Sequence, residues 1–244
     1  DGVFVALWGF EWSSPLYGHA VVIGSGSYCS AILGGVGSFT EFVQWVNARD
    51  CLAFFAHPGY TDANGTEFDH FHGVPSYKFV GMELWNGRDG FSTYYDNNGY
   101  FSGDDGLSYY DEALIRGWRI GAMGNEDNHN ANWGVIESAM AVLAPELTRE
   151  AIWDALMKRR VYSTLDQNLE MSFKIQGQEM GSVLHPGSYQ GEIRLHDAGE
   201  EVFTKVELIC NGRICQSFAI EEVSPLIHFD TETRSGDYIY IRVY

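Results

Sequence analysis

The sequence predicts an α/β domain followed by a smaller antiparallel β domain. Three observations carry that reading. Apolar runs of strand length recur early in the chain and end in histidine or acidic residues. Capped helical segments stand between them. From Met171 onward the apolar pattern has a period of two, with turns at Gly177, Gly187, Gly199, Asn211-Gly212 and Gly236. The texture changes near residue 168, giving a domain over 1–168 and a β-rich, sandwich-like domain over 169–244.

Taken in order, residues 3–8 read as a first strand, with Gly9, Phe10 and Glu11 after it. Ser13, Ser14 and Pro15 make a turn, and Gly18-His19 leads into the β-branched run AVVIG. Residues 25–38 are rich in glycine and serine and read as loop. Ser38 with Glu41 forms a capping-box signature before FVQWVNARD, a helix. LAFFAHPG at 52–59 is a continuous apolar run, hence a buried parallel strand with His57 at its end. Residues 60–77 read as a loop or insertion, with His70-Phe71-His72 a solvated pair. FVGMEL at 79–84 is another buried strand, carrying Glu83. YYDEALIRG is a helix closed by Gly117. The run Trp118–Met123 is a strand delivering GNEDNH, and Thr148 caps a helix with Ile152, Ala155 and Leu156 as its apolar stripe.

Composition bounds the function. The chain has 244 residues and a formal net charge of −18. Nucleic-acid binding is disfavoured, because counterion release needs clustered Lys and Arg. A small phosphorylated substrate is compatible, since a metal-filled pocket is locally positive even in an acidic protein. No apolar run approaches a membrane span. DGVFVALWGFEW has no basic leader, so a soluble chain is expected, secreted or periplasmic where a signal precedes Asp1. The four cysteines do not form a disulfide scaffold or zinc pattern; Cys210 and Cys215 flank a hairpin dipeptide and are either cross-linked or reduced.

Candidate ligands gather at four strand ends: Glu11 with His19, His57, Glu83, and Asp127 with His129. Carboxylate and imidazole are ligands that zinc, manganese and iron accept. In parallel α/β folds such groups converge at the carboxyl ends of strands. Independent coincidence at four ends is less probable than a common site.

The ordered run of GFEWSSPLYGHAVVIG, AHPG, GMELWNG, GNEDNHNANWG and LTREAIWDALMKRRVYSTLDQN resembles the PHP-domain (polymerase and histidinol phosphatase) metallohydrolases, in particular their carbaryl-hydrolase-like group. GDYIYIRVY near the end is similar to a C-terminal β-domain of that group. The resemblance implies a distorted (β/α)7 barrel holding two to three divalent ions of zinc, manganese or iron. It implies Glu11 as a bridging carboxylate, His19 and His57 as ligands beside it, Asp127 on the first ion and His129 on the third. Glu83 receives no firm metal role. The family's HxH and TDH segments precede the motif at Glu11, so the barrel is expected to be incomplete at its N-terminus here.

The implied activity is metal-assisted hydrolysis of a small phosphoester, with His19 or His129 protonating the leaving group. A carbamate or carboxylic ester is the alternative within the same chemistry. A different class is a metal-free binding module, for which YYDNNGYF at 94–101 offers aromatic stacking surface. The oligomeric state is not indicated.

Overall fold

The computed structural model describes residues 2–59, 64–87 and 108–244. YYDNNGYF lies outside the described residues. The chain divides into two compact units, Asp1–Leu165 and Asp166–Tyr244. Among the described residues no helix is long and apolar enough to cross a membrane.

The first unit is built on an open five-stranded sheet in the order β1-β2-β3-β4-β5. The strands are Gly9–Ser14 (β1), Gly18–Ile23 (β2), Leu52–Ala56 (β3), Phe79–Asn86 (β4) and Gly121–Asn125 (β5). Only β3-β4 and β4-β5 are parallel; β1-β2 and β2-β3 are antiparallel. A separate antiparallel pair is formed by Ala139–Val142 (β6) and Val161–Thr164 (β7).

The expected (β/α)7 barrel is therefore absent from the described residues. A barrel of that type needs successive parallel strands, each returned by a crossover. Here Pro15–Tyr17 is too short for a crossover, so β1 and β2 close as a hairpin. The described residues contain just three α-helices, Phe39–Asn47 (α1), Tyr109–Ile115 (α2) and Arg149–Met157 (α3), and the architecture is mixed and mostly β.

Each helix starts where a cap permits it. Ser38 and Glu41 form a reciprocal capping box on α1. Ser108 accepts from the Asp111 amide on α2, and Thr148 from the Ala151 amide on α3. Gly117 follows α2 with φ 88°, a left-handed stop.

The sheet buries both faces. On one, Trp12, Ala20, Val22, Ala53 and Phe55 are fully buried, and α1 lies on the aromatic layer they form. Trp12 stacks on Phe42 at 4.3 Å and donates its indole N–H to the Val36 carbonyl. On the other, Leu52, Val80 and Met123 pack with Leu156 and Val161, alongside Ile23, Phe54 and Trp153.

Two local expectations are corrected. Residues 3–8 form no strand, and Val3, Phe4 and Trp8 are largely exposed. Pairing begins at Gly9 opposite Ile23, so Glu11 sits within β1 rather than after it. The insertion is also not solvated throughout. Glu67–Phe71 forms a tight turn with left-handed backbone at Phe68, Asp69, His70 and Phe71, and its Phe68 and Phe71 enter the aromatic layer. His70 is buried with it, its Nδ1 3.3 Å from Glu112 Oε2.

The second unit has two antiparallel sheets: β13-β10-β8-β9 and β12-β11-β14. Their strands are Leu169–Ile175 (β8), Gln178–Glu179 (β9), Gly187–Asp197 (β10), Phe203–Cys210 (β11), Arg213–Glu222 (β12), Leu226–Thr233 (β13) and Ile239–Val243 (β14). Phe173, Ile193, Leu195 and Phe229 from one sheet share a core with Val206 and Leu208 from the other. Asn211 and Gly212 take φ of 52° and 74°, as a two-residue hairpin turn requires, and Cys210 and Cys215 are disulfide-bonded across it.

Candidate metal centre

The β1–β2 hairpin places two ligands on one face. Glu11 is opposite Val21 and Ser13 opposite His19, so Glu11 and His19 are diagonal neighbours. His19 Nδ1 lies 2.8 Å from Glu11 Oε1. The next pairing sets His19 opposite Ala56, the last residue of β3, and His57 follows directly. His57 Nε2 reaches the same Glu11 Oε1 at 3.4 Å. The two imidazoles meet edge to face with ring centroids 4.9 Å apart. One ligand atom from each of the three residues lies within 4.8 Å of the others.

His57 is held in an uncommon backbone state, φ 28°. Its amide donates to Glu83 Oε2 at 2.8 Å. The same oxygen accepts from Asn86 Nδ2 at 2.8 Å, while Glu83 Oε1 accepts from Asn125 Nδ2 at 2.7 Å. Glu83 is buried, and three donors engage both oxygens of its carboxylate. It thus orients the β3 end from behind.

A second buried acid, Glu67, ties down the flank. Its Oε1 accepts from the Gly59 amide at 2.9 Å. It packs where Gly18, with φ 80°, has no side chain; a Cβ there would stand 2.6 Å from Glu67 Cγ. Sequence reasoning misses Glu67, because it touches backbone and follows no metal-ligand spacing. Phe68 and Phe71, three apart, were the available signal that this segment folds inward.

The electrostatics follow from the contacts. Hydrogen bonds from His19 and then His57 draw the Glu11 carboxyl down to about 2, against the opposing effect of its partial burial. Burial works against a charged His57, but the Glu11 hydrogen bond and the charges of Glu83, Asp127 and Glu11 outweigh it and raise its pKa. Burial raises Glu83 despite nearby His57 and its amide donors.

Asp127 and His129 stand apart from this triad. They lie on the loop after β5, where His129 Nε2 is 3.0 Å from Asp127 Oδ1 and the His129 side chain is 78% exposed. Asp127 has φ 48°, and its charge is felt at His57. The loop itself is shaped by Glu126, which accepts from the Gly134 and Ile136 amides.

One carboxylate oxygen and two imidazole nitrogens are a fitting donor set for zinc, manganese or iron. Side-chain exposures of 30% for Glu11, 21% for His19 and 9% for His57 leave one side reachable from solvent. The residues therefore fit one transition-metal ion.

Comparison with known proteins adds little to this geometry. No family model matches the chain, and no solved structure matches it. Over 83 residues, 32% of this chain, it is 35% identical to an uncharacterized protein of Chlamydia pneumoniae, and the match spans 13% of that protein.

Proposed function

We propose that this protein is a metal-dependent hydrolase acting on a small phosphoester. The carrying observation is the convergence of His19 Nδ1 and His57 Nε2 on one oxygen of Glu11. Such a set holds a divalent ion while leaving a side open to substrate. The ordered motif resemblance to the PHP metallohydrolases points to the same chemistry at these three residues, while the barrel it implies is absent from the described residues.

Glu11, His19 and His57 would hold the ion. When bound, it supplies Lewis acidity toward a phosphoryl oxygen and toward water. Glu83 fixes His57 through its backbone amide, so the imidazole meets the ion preoriented. As a ligand, His19 is not free to carry a proton. His129 is exposed and oriented by Asp127, which suits it to protonate a leaving oxygen. No covalent intermediate is invoked.

The test is metal content and turnover of the purified full chain. We expect at least one transition ion per chain, and manganese-supported cleavage of p-nitrophenyl phosphate mono- or diesters. Glu11→Gln and His57→Ala should each lose the ion. Unchanged metal content in both variants would refute the assignment. Retained metal without phosphoester cleavage, but with cleavage of p-nitrophenyl acetate, would replace the substrate class.

A further inference from the structure

We propose a second, calcium-selective site in the β-rich unit, formed by Asp166, Asp197 and Glu201. Asp197 is the last residue of β10, Asp166 stands just before β8, and Glu201 lies just before β11. Asp197 pairs with Leu169 across β10–β8, which brings the start of β8 to the same end of the sheet. One oxygen from each of the three residues lies within 4.8 Å of the others.

Both aspartates use one oxygen to shape backbone. Asp197 Oδ1 accepts from the Glu201 amide at 2.9 Å, and Asp166 Oδ1 from the Asn168 amide at 2.7 Å. The decisive atom is Asp197 Oδ2. Asp197 is 0% exposed, and this oxygen has no hydrogen-bond donor. Among the described residues no Lys or Arg forms an ion pair with Asp197. A buried carboxylate oxygen without a donor is costly, and two neighbouring carboxylates increase the cost.

A hard cation removes that cost. Calcium takes oxygen ligands at about 2.3–2.6 Å, so oxygens sharing one ion lie at most about 5 Å apart, a bound that the three oxygens here satisfy. The cluster offers no nitrogen or sulfur, which separates it from the Glu11 centre and disfavours zinc. Gly199 keeps the turn open, since a Cβ there would come 3.1 Å from Asp197 Oδ1. Bound calcium would tie the residue before β8 to the β10–β11 turn, a structural role.

The competing arrangement is a proton shared between Asp166 and Asp197, and the test separates the two. The full chain is stripped with EGTA and titrated with calcium chloride by calorimetry, with melting followed by circular dichroism. We expect one calcium per chain and a melting temperature raised by several degrees. Both should persist in Glu11→Gln, which isolates this site from the first. Asp197→Asn should weaken calcium binding at least about tenfold. If that variant folds poorly, Glu201→Gln, at an exposed position, should weaken it with wild-type dichroism. No binding at millimolar calcium, or binding unchanged in Asp197→Asn and Glu201→Gln, overturns the site. A calcium-insensitive protein that Asp197→Asn leaves as stable or more stable at pH 7 overturns it in favour of the shared proton.

Discussion

Glu11→Gln in the metal-free protein gives a stability change whose sign and pH range follow from the site. The fall of the Glu11 pKa from 4.5 to about 2 sets a ceiling of about 3.4 kcal/mol at about 1.4 kcal/mol per tenfold. Glu11 is partly exposed, so solvent screening reduces this to about 1–2 kcal/mol. The depressed carboxyl contributes stability above its unfolded pKa, and the contribution is lost as pH falls toward about 2. The raised His57 works in the opposite sense: its contribution is complete below about 6.5 and is lost as pH rises through its folded value. The pair is thus worth most near pH 5.5. The assay is urea unfolding in EDTA read by tryptophan fluorescence. All seven tryptophans precede residue 166, so the signal reports the unit that contains Glu11. We expect the variant to be less stable by about 1–2 kcal/mol at pH 5.5, with a smaller gap at pH 8.5. An equal gap at both pH values, or none at pH 5.5, would refute the charge-paired triad.

Glu83→Gln replaces an acceptor of three donors with a group that accepts fewer; we expect a loss of about 1–3 kcal/mol and about 10–100-fold weaker metal binding, read by denaturation and by competition with a chromophoric chelator. Gly18→Ala forces a Cβ into Glu67 at a backbone angle unfavourable to alanine, and should cost about 1–3 kcal/mol by urea unfolding. Reducing Cys210–Cys215 opens a short loop, so it should cost at most about 2 kcal/mol; the change should appear in far-ultraviolet dichroism and leave the tryptophan-detected transition in place.

The triad was readable from sequence because its members end or adjoin short apolar runs: His19 precedes AVVIG and His57 terminates LAFFA. Caps at Ser38 and Thr148 were equally plain, since capping is local chemistry. The barrel was not a local property. Strand order and direction depend on which edges meet, and the short turn at Pro15 decided that β1 and β2 pair antiparallel. The run at 3–8 misled because Leu7 packs against the core without strand pairing, while Val3, Phe4 and Trp8 stay largely exposed. Glu67 was missed and His70 was read as solvated because a buried polar residue in a polar-looking segment has no period. Asp166, Asp197 and Glu201 escaped because their approach depends on the β8–β10 register, not on spacing.

The hairpin has a consequence for assembly order. Glu11 and His19 are eight residues apart, joined by a turn that closes on the microsecond scale. His57 arrives only when β3 docks on β2, and its backbone is set by Glu83, a further 26 residues along. Two ligands are therefore local and the third is not. An ion that needs all three would ignore the isolated hairpin and bind only once β4 is in place, making metal uptake a timer for completion of the sheet.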